Sequence, residues 1–119
     1  MGKSVLIIDD ECDLCELISR VLKKQGFEVD CAFNLAQAEA KLRSHPDIVF
    51  LDNNLPDGTG MEYIQMHPVD FISSFVVMIT ADPADSLKQR ADFEGIQAFL
   101  TKPFSVERLK ELVKPMLTN

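Results

Sequence analysis

The chain is 119 residues long, enough for one ordinary domain and too short for two hydrophobic cores. Apolar residues make up 46% and charged residues 26%, with eight Phe against six Pro and five Gly, which excludes a disordered chain. Twelve basic against nineteen acidic residues leave a net charge of −7, a balance that works against direct binding to phosphodiester backbones or anionic lipid.

In chain order, the apolar run Val5-Leu6-Ile7-Ile8 opens the pattern as a strand. Leu14, Leu17, Ile18, Val21 and Leu22 then recur at helical spacing, and Gly26 supplies a stop, which predicts a helix from about Glu11 to Gln25. Phe27, Val29 and Cys31 alternate with Glu28 and Asp30, the pattern of a half-exposed peripheral strand. Asn34 with Gln37 three residues later forms a capping box that opens a second helix through Leu42, and Pro46 prevents its continuation. The buried run Ile48-Val49-Phe50-Leu51 follows, then a short helix over Met61–Met66 before Pro68. Phe75 to Ile79 is the longest aliphatic or aromatic run, and its five residues fall far short of the roughly 20 that span a bilayer. A fourth helix is expected over Asp85–Phe93 before Gly95, a last strand over Ala98-Phe99-Leu100, and a fifth helix from Ser105, as N-cap, to about Leu117. Pro115 predicts that the end of this helix frays or stops early. No linker, internal repeat or low-complexity tract interrupts the series.

Continuous apolar runs mark strands covered on both faces, and their alternation with helices implies a βαβ series. Right-handed crossovers turn such a series into a three-layer α/β sandwich around a single parallel sheet. In open sheets of this kind the functional crevice lies beyond the carboxyl ends of the strands. The residues that follow the apolar runs are Asp9-Asp10, Asp52, Thr80 and Thr101-Lys102, so four strand ends bring three acids, a hydroxyl and an ammonium to one edge. Any one of these acids alone is an ordinary turn residue. Together they form a cluster whose mutual repulsion needs a divalent cation or the Lys102 ammonium for balance. Hard oxygen donors favour Mg2+, and a carboxylate is also a competent covalent nucleophile, as in an aspartyl-phosphate.

The segments Ile7-Ile8-Asp9-Asp10-Glu11, Leu51-Asp52-Asn53-Asn54-Leu55-Pro56-Asp57-Gly58-Thr59-Gly60, Ile79-Thr80-Ala81 and Thr101-Lys102-Pro103-Phe104 resemble, in order and spacing, the receiver domain of two-component response regulators. The resemblance covers essentially the whole chain and implies a single receiver domain over residues 1–119. It also implies a flavodoxin-like sandwich with a five-stranded parallel sheet of order 2-1-3-4-5 and five helices. By the same resemblance Asp52 is the phosphoacceptor, taking its phosphoryl group from the phosphohistidine of a histidine kinase or phosphotransfer protein. Asp10 is the direct Mg2+ ligand, Asp9 assists partly through water, Asp52 shares the metal and Asn54 contributes its backbone carbonyl. Thr80 is expected to bind a phosphoryl oxygen and Lys102 to pair with the acyl phosphate. The bond from Lys102 to Pro103 is expected to be cis. Phe99 stands at the switch-aromatic position, where a Tyr is common, and lacks the hydroxyl. Asn54 and Asp82 occupy positions that influence hydrolysis of the acyl phosphate. The protein so described is a cytoplasmic signalling switch, not an enzyme, although it assists its own phosphorylation and dephosphorylation. Its output face is formed by helix four, strand five and helix five. A downstream protein or output domain, and a second copy of the chain on activation, are the expected partners, with neither nucleic acid nor membrane bound directly.

Other features carry less. Cys12 and Cys15 have zinc-like spacing but no second pair completes a site, and with Cys31 they make an odd number without a secretory leader, so reduced thiols are expected. His45 and His67 each precede a proline at a helix end and read as solvated caps. Gly58-Thr59-Gly60 reads as a turn of special backbone conformation opening helix three. A receiver-like interaction module that is never phosphorylated would be expected to lack part of the acid, Thr and Lys set, and none is missing. A flavin-binding protein of the same fold class would need a phosphate-cradling loop after the first strand, where Asp9, Asp10 and Glu11 would repel the phosphate.

Overall fold

The structure is a computed structural model and describes residues 3–81 and 95–117. Five strands, β1 (Ser4–Ile8), β2 (Glu28–Ala32), β3 (Ile48–Asp52), β4 (Phe75–Thr80) and β5 (Ala98–Thr101), form one parallel sheet of order β2-β1-β3-β4-β5. Helices α1 (Cys12–Lys24), α2 (Leu35–Leu42) and α3 (Gly60–Met66), with the C-terminal helix Val106–Leu117, cover it. The expected helix over Asp85–Phe93 lies outside the described residues.

The continuous apolarity of the strands has a direct structural cause. Val5, Ile7, Ile48, Phe50, Val77, Ile79 and Leu100 face one core, packed with Ile18 and Leu22 of α1 and Leu109 and Val113 of the C-terminal helix. Their neighbours Leu6, Ile8, Val49, Leu51, Val76, Met78 and Phe99 face a second core with Ala38 and Leu42 of α2 and Ile64 of α3. Successive side chains point to opposite faces of a strand, so a sheet covered twice needs apolar residues at every position. Edge strand β2 is the exception, with Glu28 and Asp30 exposed.

Local signals explain the ends of the elements. Gly26 takes a φ of +99° just past α1, where a side chain would be strained. Asn34 caps α2 by accepting from the Gln37 N–H, while the Gln37 side chain accepts from the Phe33 N–H, one residue before the partner a standard capping box would use. The Thr59 side chain caps α3 through the Glu62 N–H, and the Ser105 hydroxyl caps the C-terminal helix through the Arg108 N–H. His45 and His67 are exposed at the ends of their helices, as expected, and the His67 ring stacks on Tyr63 at 4.4 Å between centroids.

Three differences from the sequence reading have physical reasons. Pro115 does not end its helix early: the helix runs through Leu117, because a proline in the last turn forfeits one backbone bond where few remain to be lost. Residues Pro68–Phe71 form a 3-10 turn after α3 that periodicity does not reveal, since a single turn is shorter than the pattern it would need. In the Gly58–Gly60 turn only Gly58 has positive φ, at +150°, whereas Gly60 is required by proximity. A Cβ on Gly60 would lie 2.5 Å from the Asp52 carbonyl oxygen.

Candidate functional site

The carboxyl ends of β1, β3, β4 and β5 meet at one edge of the sheet, around an open cavity of about 510 Å³ lined by Asp10, Glu11, Asp52, Asn53, Asn54, Thr80, Ala81 and Lys102. The convergence predicted from four separated segments is therefore present in space. The parallel register brings it about: Asp52 pairs with Ile79 next to Thr80, and Thr80 pairs with Thr101 next to Lys102. The Lys102 N–H donates to the Thr80 carbonyl at 2.8 Å, tying the two strand ends together, and the Lys102–Pro103 bond is cis, as expected.

The acids divide by burial. Asp9 is fully buried and Asp52 nearly so, whereas Asp10 is exposed. One carboxylate oxygen from each of the three lies within 4.8 Å of the others. Asp9 Oδ1 accepts the Glu11 N–H at 2.9 Å, but its Oδ2 is buried without a hydrogen-bond partner among the described residues. Asp52 Oδ1 accepts the Asn54 N–H at 3.1 Å. Lys102 Nζ stands 3.5 Å from Asp9 Oδ2 and 3.6 Å from Asp52 Oδ2, and it contacts the Glu11 carboxylate more closely than either.

Burial pushes the Asp52 carboxyl up to about 6, with the Asp9 charge adding to the rise and the Asn54 N–H and Lys102 opposing it. Burial likewise raises Asp9, against the Glu11 N–H and Lys102. For Lys102 the penalty of burial is outweighed by the bond to Glu11 and by the charges of Asp52 and Asp9, so its ammonium is held above the ordinary lysine value. Two desolvated carboxylates that one ammonium only partly offsets make a site short of positive charge. A buried carboxylate oxygen with no hydrogen bond and only the Lys102 ammonium at 3.5 Å, two further hard oxygen donors within reach and this charge deficit together suit Mg2+.

Thr80 is buried at the end of β4 beside this edge. Phe99 is buried in the core on the α2 and α3 side, with its carbonyl accepting from the Arg108 guanidinium at 3.5 Å. Asn54 lies exposed on the loop after β3. Asp82 lies outside the described residues. Cys15 is buried with its thiol donating to the Asp9 carbonyl at 3.3 Å, while Cys12 is exposed, and none of the three cysteines joins a disulfide.

The sequence reading missed two contributors. Glu11, read as the start of a helix and as part of the acidic run after the first strand but given no role at the site, is the closest carboxylate to Lys102. Asp57, quoted only as part of a motif, accepts the Leu35 and Ala36 N–H groups at 2.9 and 3.2 Å, docking the loop after β3 onto the start of α2. Both contacts span long sequence separations. The charge of Glu11 beside Asp9-Asp10 was the one available signal.

Residues 5–114 match the family model of the response regulator receiver domain. Among curated proteins, the chain is similar to the phosphate regulon transcriptional regulatory protein PhoB of Pseudomonas aeruginosa, 32% identical over 120 residues covering 98% of this chain and 52% of that protein. It is 34% identical to the response regulator protein PilR of the same organism over 116 residues, 97% of this chain and 26% of that one. The chain thus spans about half the length of the first relative and about a quarter of the second. Among solved structures, the chemotaxis response regulator CheY4 of Vibrio cholerae superposes with a TM-score of 0.85 at 26% identity, covering 97% of this chain and 98% of that one. The response regulator TrrA of Thermotoga maritima, solved in complex with Mg(2+)-BeF, gives 0.79 at 29% identity over 96% and 98% of the two chains.

Proposed function

The chain belongs to the response regulator receiver family, and from that membership we propose that it is a phosphorylation-dependent switch in which Asp52 accepts a phosphoryl group from the phosphohistidine of a histidine kinase or phosphotransfer protein. One observation carries this reading: the nearly buried Asp52 carboxylate opens onto a polar cavity, with Lys102 3.6 Å away and the Asp9 and Asp10 oxygens within 4.8 Å.

Asp52 would attack phosphorus through a carboxylate oxygen, forming the P–O bond of an acyl phosphate as the P–N bond to the donor imidazole breaks. The electron pair leaves with the imidazole, which takes up a proton. The Asn54 N–H on Oδ1 orients the carboxylate and leaves Oδ2 toward Lys102. Lys102 supplies a positive charge to the phosphoryl oxygens, and the Thr80 hydroxyl donates to one of them. Mg2+ held by Asp10 and Asp52, with the Asn54 carbonyl and Asp9 in support, would offset the negative charge that builds on the equatorial oxygens. Asp9 has a second task within the chain itself: it anchors the Glu11 N–H and so fixes the start of α1 against the site.

Output follows from what the phosphoryl group contacts. A ligand shifts a two-state equilibrium only by contacting the two states differently, and Thr80 and Lys102 supply those contacts. Movement of Thr80 is transmitted along β4 to its neighbour β5, which carries Phe99, and to the C-terminal helix through Arg108. The burial of Phe99 suits a ring that reports on the space left by Thr80 without a hydroxyl. The expected contribution of helix four lies outside the described residues. An output domain or downstream protein reads this face, and a second copy of the chain is the further partner of the activated state.

Intact-mass measurement after incubation with acetyl phosphate and Mg2+ tests the proposal. A single phosphoryl adduct is expected in the wild type and none in Asp52→Ala. No adduct in the wild type, or an undiminished one in Asp52→Ala, refutes it.

A further inference from the structure

Lys102 is held between three carboxylates, and the nearest is not the proposed phosphoacceptor. Its ammonium touches Glu11, while Asp9 and Asp52 stand off at 3.5 and 3.6 Å. Glu11 occupies the N-cap position of α1 yet makes no side-chain capping bond. Its carboxylate reaches instead across the crevice to the residue after β5, and among the described residues lining the cavity Lys102 alone is cationic. The backbone N–H of Glu11, which donates to Asp9 Oδ1, is independent of that side chain.

We infer that Glu11 is a positioning residue that holds Lys102 back from Asp52, so that an arriving phosphoryl group must draw the ammonium away from Glu11 before Lys102 can pair with it. This rests on the reading of Asp52 as phosphoacceptor. An ammonium has three donors, but they diverge from one nitrogen, and a phosphoryl group on Asp52 competes with Glu11 for their direction. The Glu11 side chain is 60% exposed, so the pair has the modest strength of a half-solvated ion pair. The contact therefore tunes occupancy of the site by about two- to fivefold and does not gate it outright.

The test compares the wild type with Glu11→Gln, which keeps the helix start and the Asp9 hydrogen bond while removing the charge that holds Lys102. Beryllofluoride is titrated calorimetrically at saturating Mg2+, and acetyl phosphate kinetics are separated into KM and maximal rate. Glu11→Gln should bind beryllofluoride about two- to fivefold more tightly and lower KM by a similar factor, with little change in maximal rate. Asp13→Asn, which removes one charge from the exposed first turn of the same helix without touching Lys102, should match the wild type. Equal affinities for wild type and Glu11→Gln overturn the inference and leave the function of Asp52 intact. An equal gain in Asp13→Asn also overturns it, because the effect would then be bulk charge. A wild type that neither binds beryllofluoride nor acquires a phosphoryl adduct overturns the reading of Asp52, and this inference with it.

Discussion

Replacing Asp52 by Asn should stabilise the folded protein at neutral pH in the absence of divalent cations. The folded state carries this carboxyl at about 6 against an ordinary 3.8, chiefly because burial penalises its charge. At about 1.4 kcal/mol for each tenfold change in proton affinity, that rise corresponds to about 3 kcal/mol of cost when Asp52 ionises in the fold. Asn keeps the acceptor oxygen for the Asn54 N–H but leaves Lys102 one charge poorer in partners, so a net gain of about 1–3 kcal/mol is expected at pH 7. Its pH dependence has a definite sign. Because the folded carboxyl binds its proton more tightly than the unfolded one, wild-type stability from this group is full below about pH 4 and is lost as pH rises to about 6. The advantage of Asp52→Asn should therefore be near zero at pH 4 and complete at pH 7. Urea unfolding in EDTA, followed by far-UV circular dichroism because the chain has no Trp and one Tyr, gives the measurement. A difference that is constant from pH 4 to pH 7, or a variant less stable than the wild type at pH 7, would refute the claim that burial governs this carboxylate.

Gly60→Ala should cost about 1–3 kcal/mol and slow phosphoryl uptake together, because the new Cβ would meet the Asp52 carbonyl at 2.5 Å; a variant equal to wild type in both urea midpoint and adduct formation would contradict it. Asp57→Ala removes the acceptor of two N–H groups at the start of α2 and should lower stability by about 0.5–2 kcal/mol, with faster amide exchange at Leu35 and Ala36 as the specific readout. Asp10→Ala should weaken Mg2+ binding markedly in calorimetric titration, whereas Lys102→Ala should preserve or strengthen it while reducing phosphoryl uptake. Unchanged affinity in Asp10→Ala would move the metal elsewhere.

The strands and most helices were legible because each is announced by its own residues. Uninterrupted apolarity at Ile48–Leu51 says that both faces are covered, and Asn34, Ser105 and Gly26 mark where backbone donors or a positive φ must be accommodated. The positions of Asp9, Asp10, Asp52, Thr80 and Lys102 could be read as one edge for the same reason: in a parallel sheet every strand ends on the same side. Strand order was implied by family resemblance alone, since alternation of strands and helices does not say which strands are neighbours.

What only the tertiary structure decided depends on distance through space. Adjacent in sequence, Asp9 and Asp10 differ completely in burial: Asp9 is enclosed beneath the start of α1, where it accepts the Glu11 N–H, whereas Asp10 is exposed at the bend beyond β1. The raised Asp52 carboxyl comes from desolvation by residues scattered over the chain. The grip of Glu11 on Lys102, 91 positions away, and of Asp57 on the start of α2, exist only once the sheet is assembled in the order β2-β1-β3-β4-β5. Local pattern records the periodicity and conformational demands of neighbours along the chain, whereas charge balance and burial at a site are set by whichever residues the fold brings within a few ångströms.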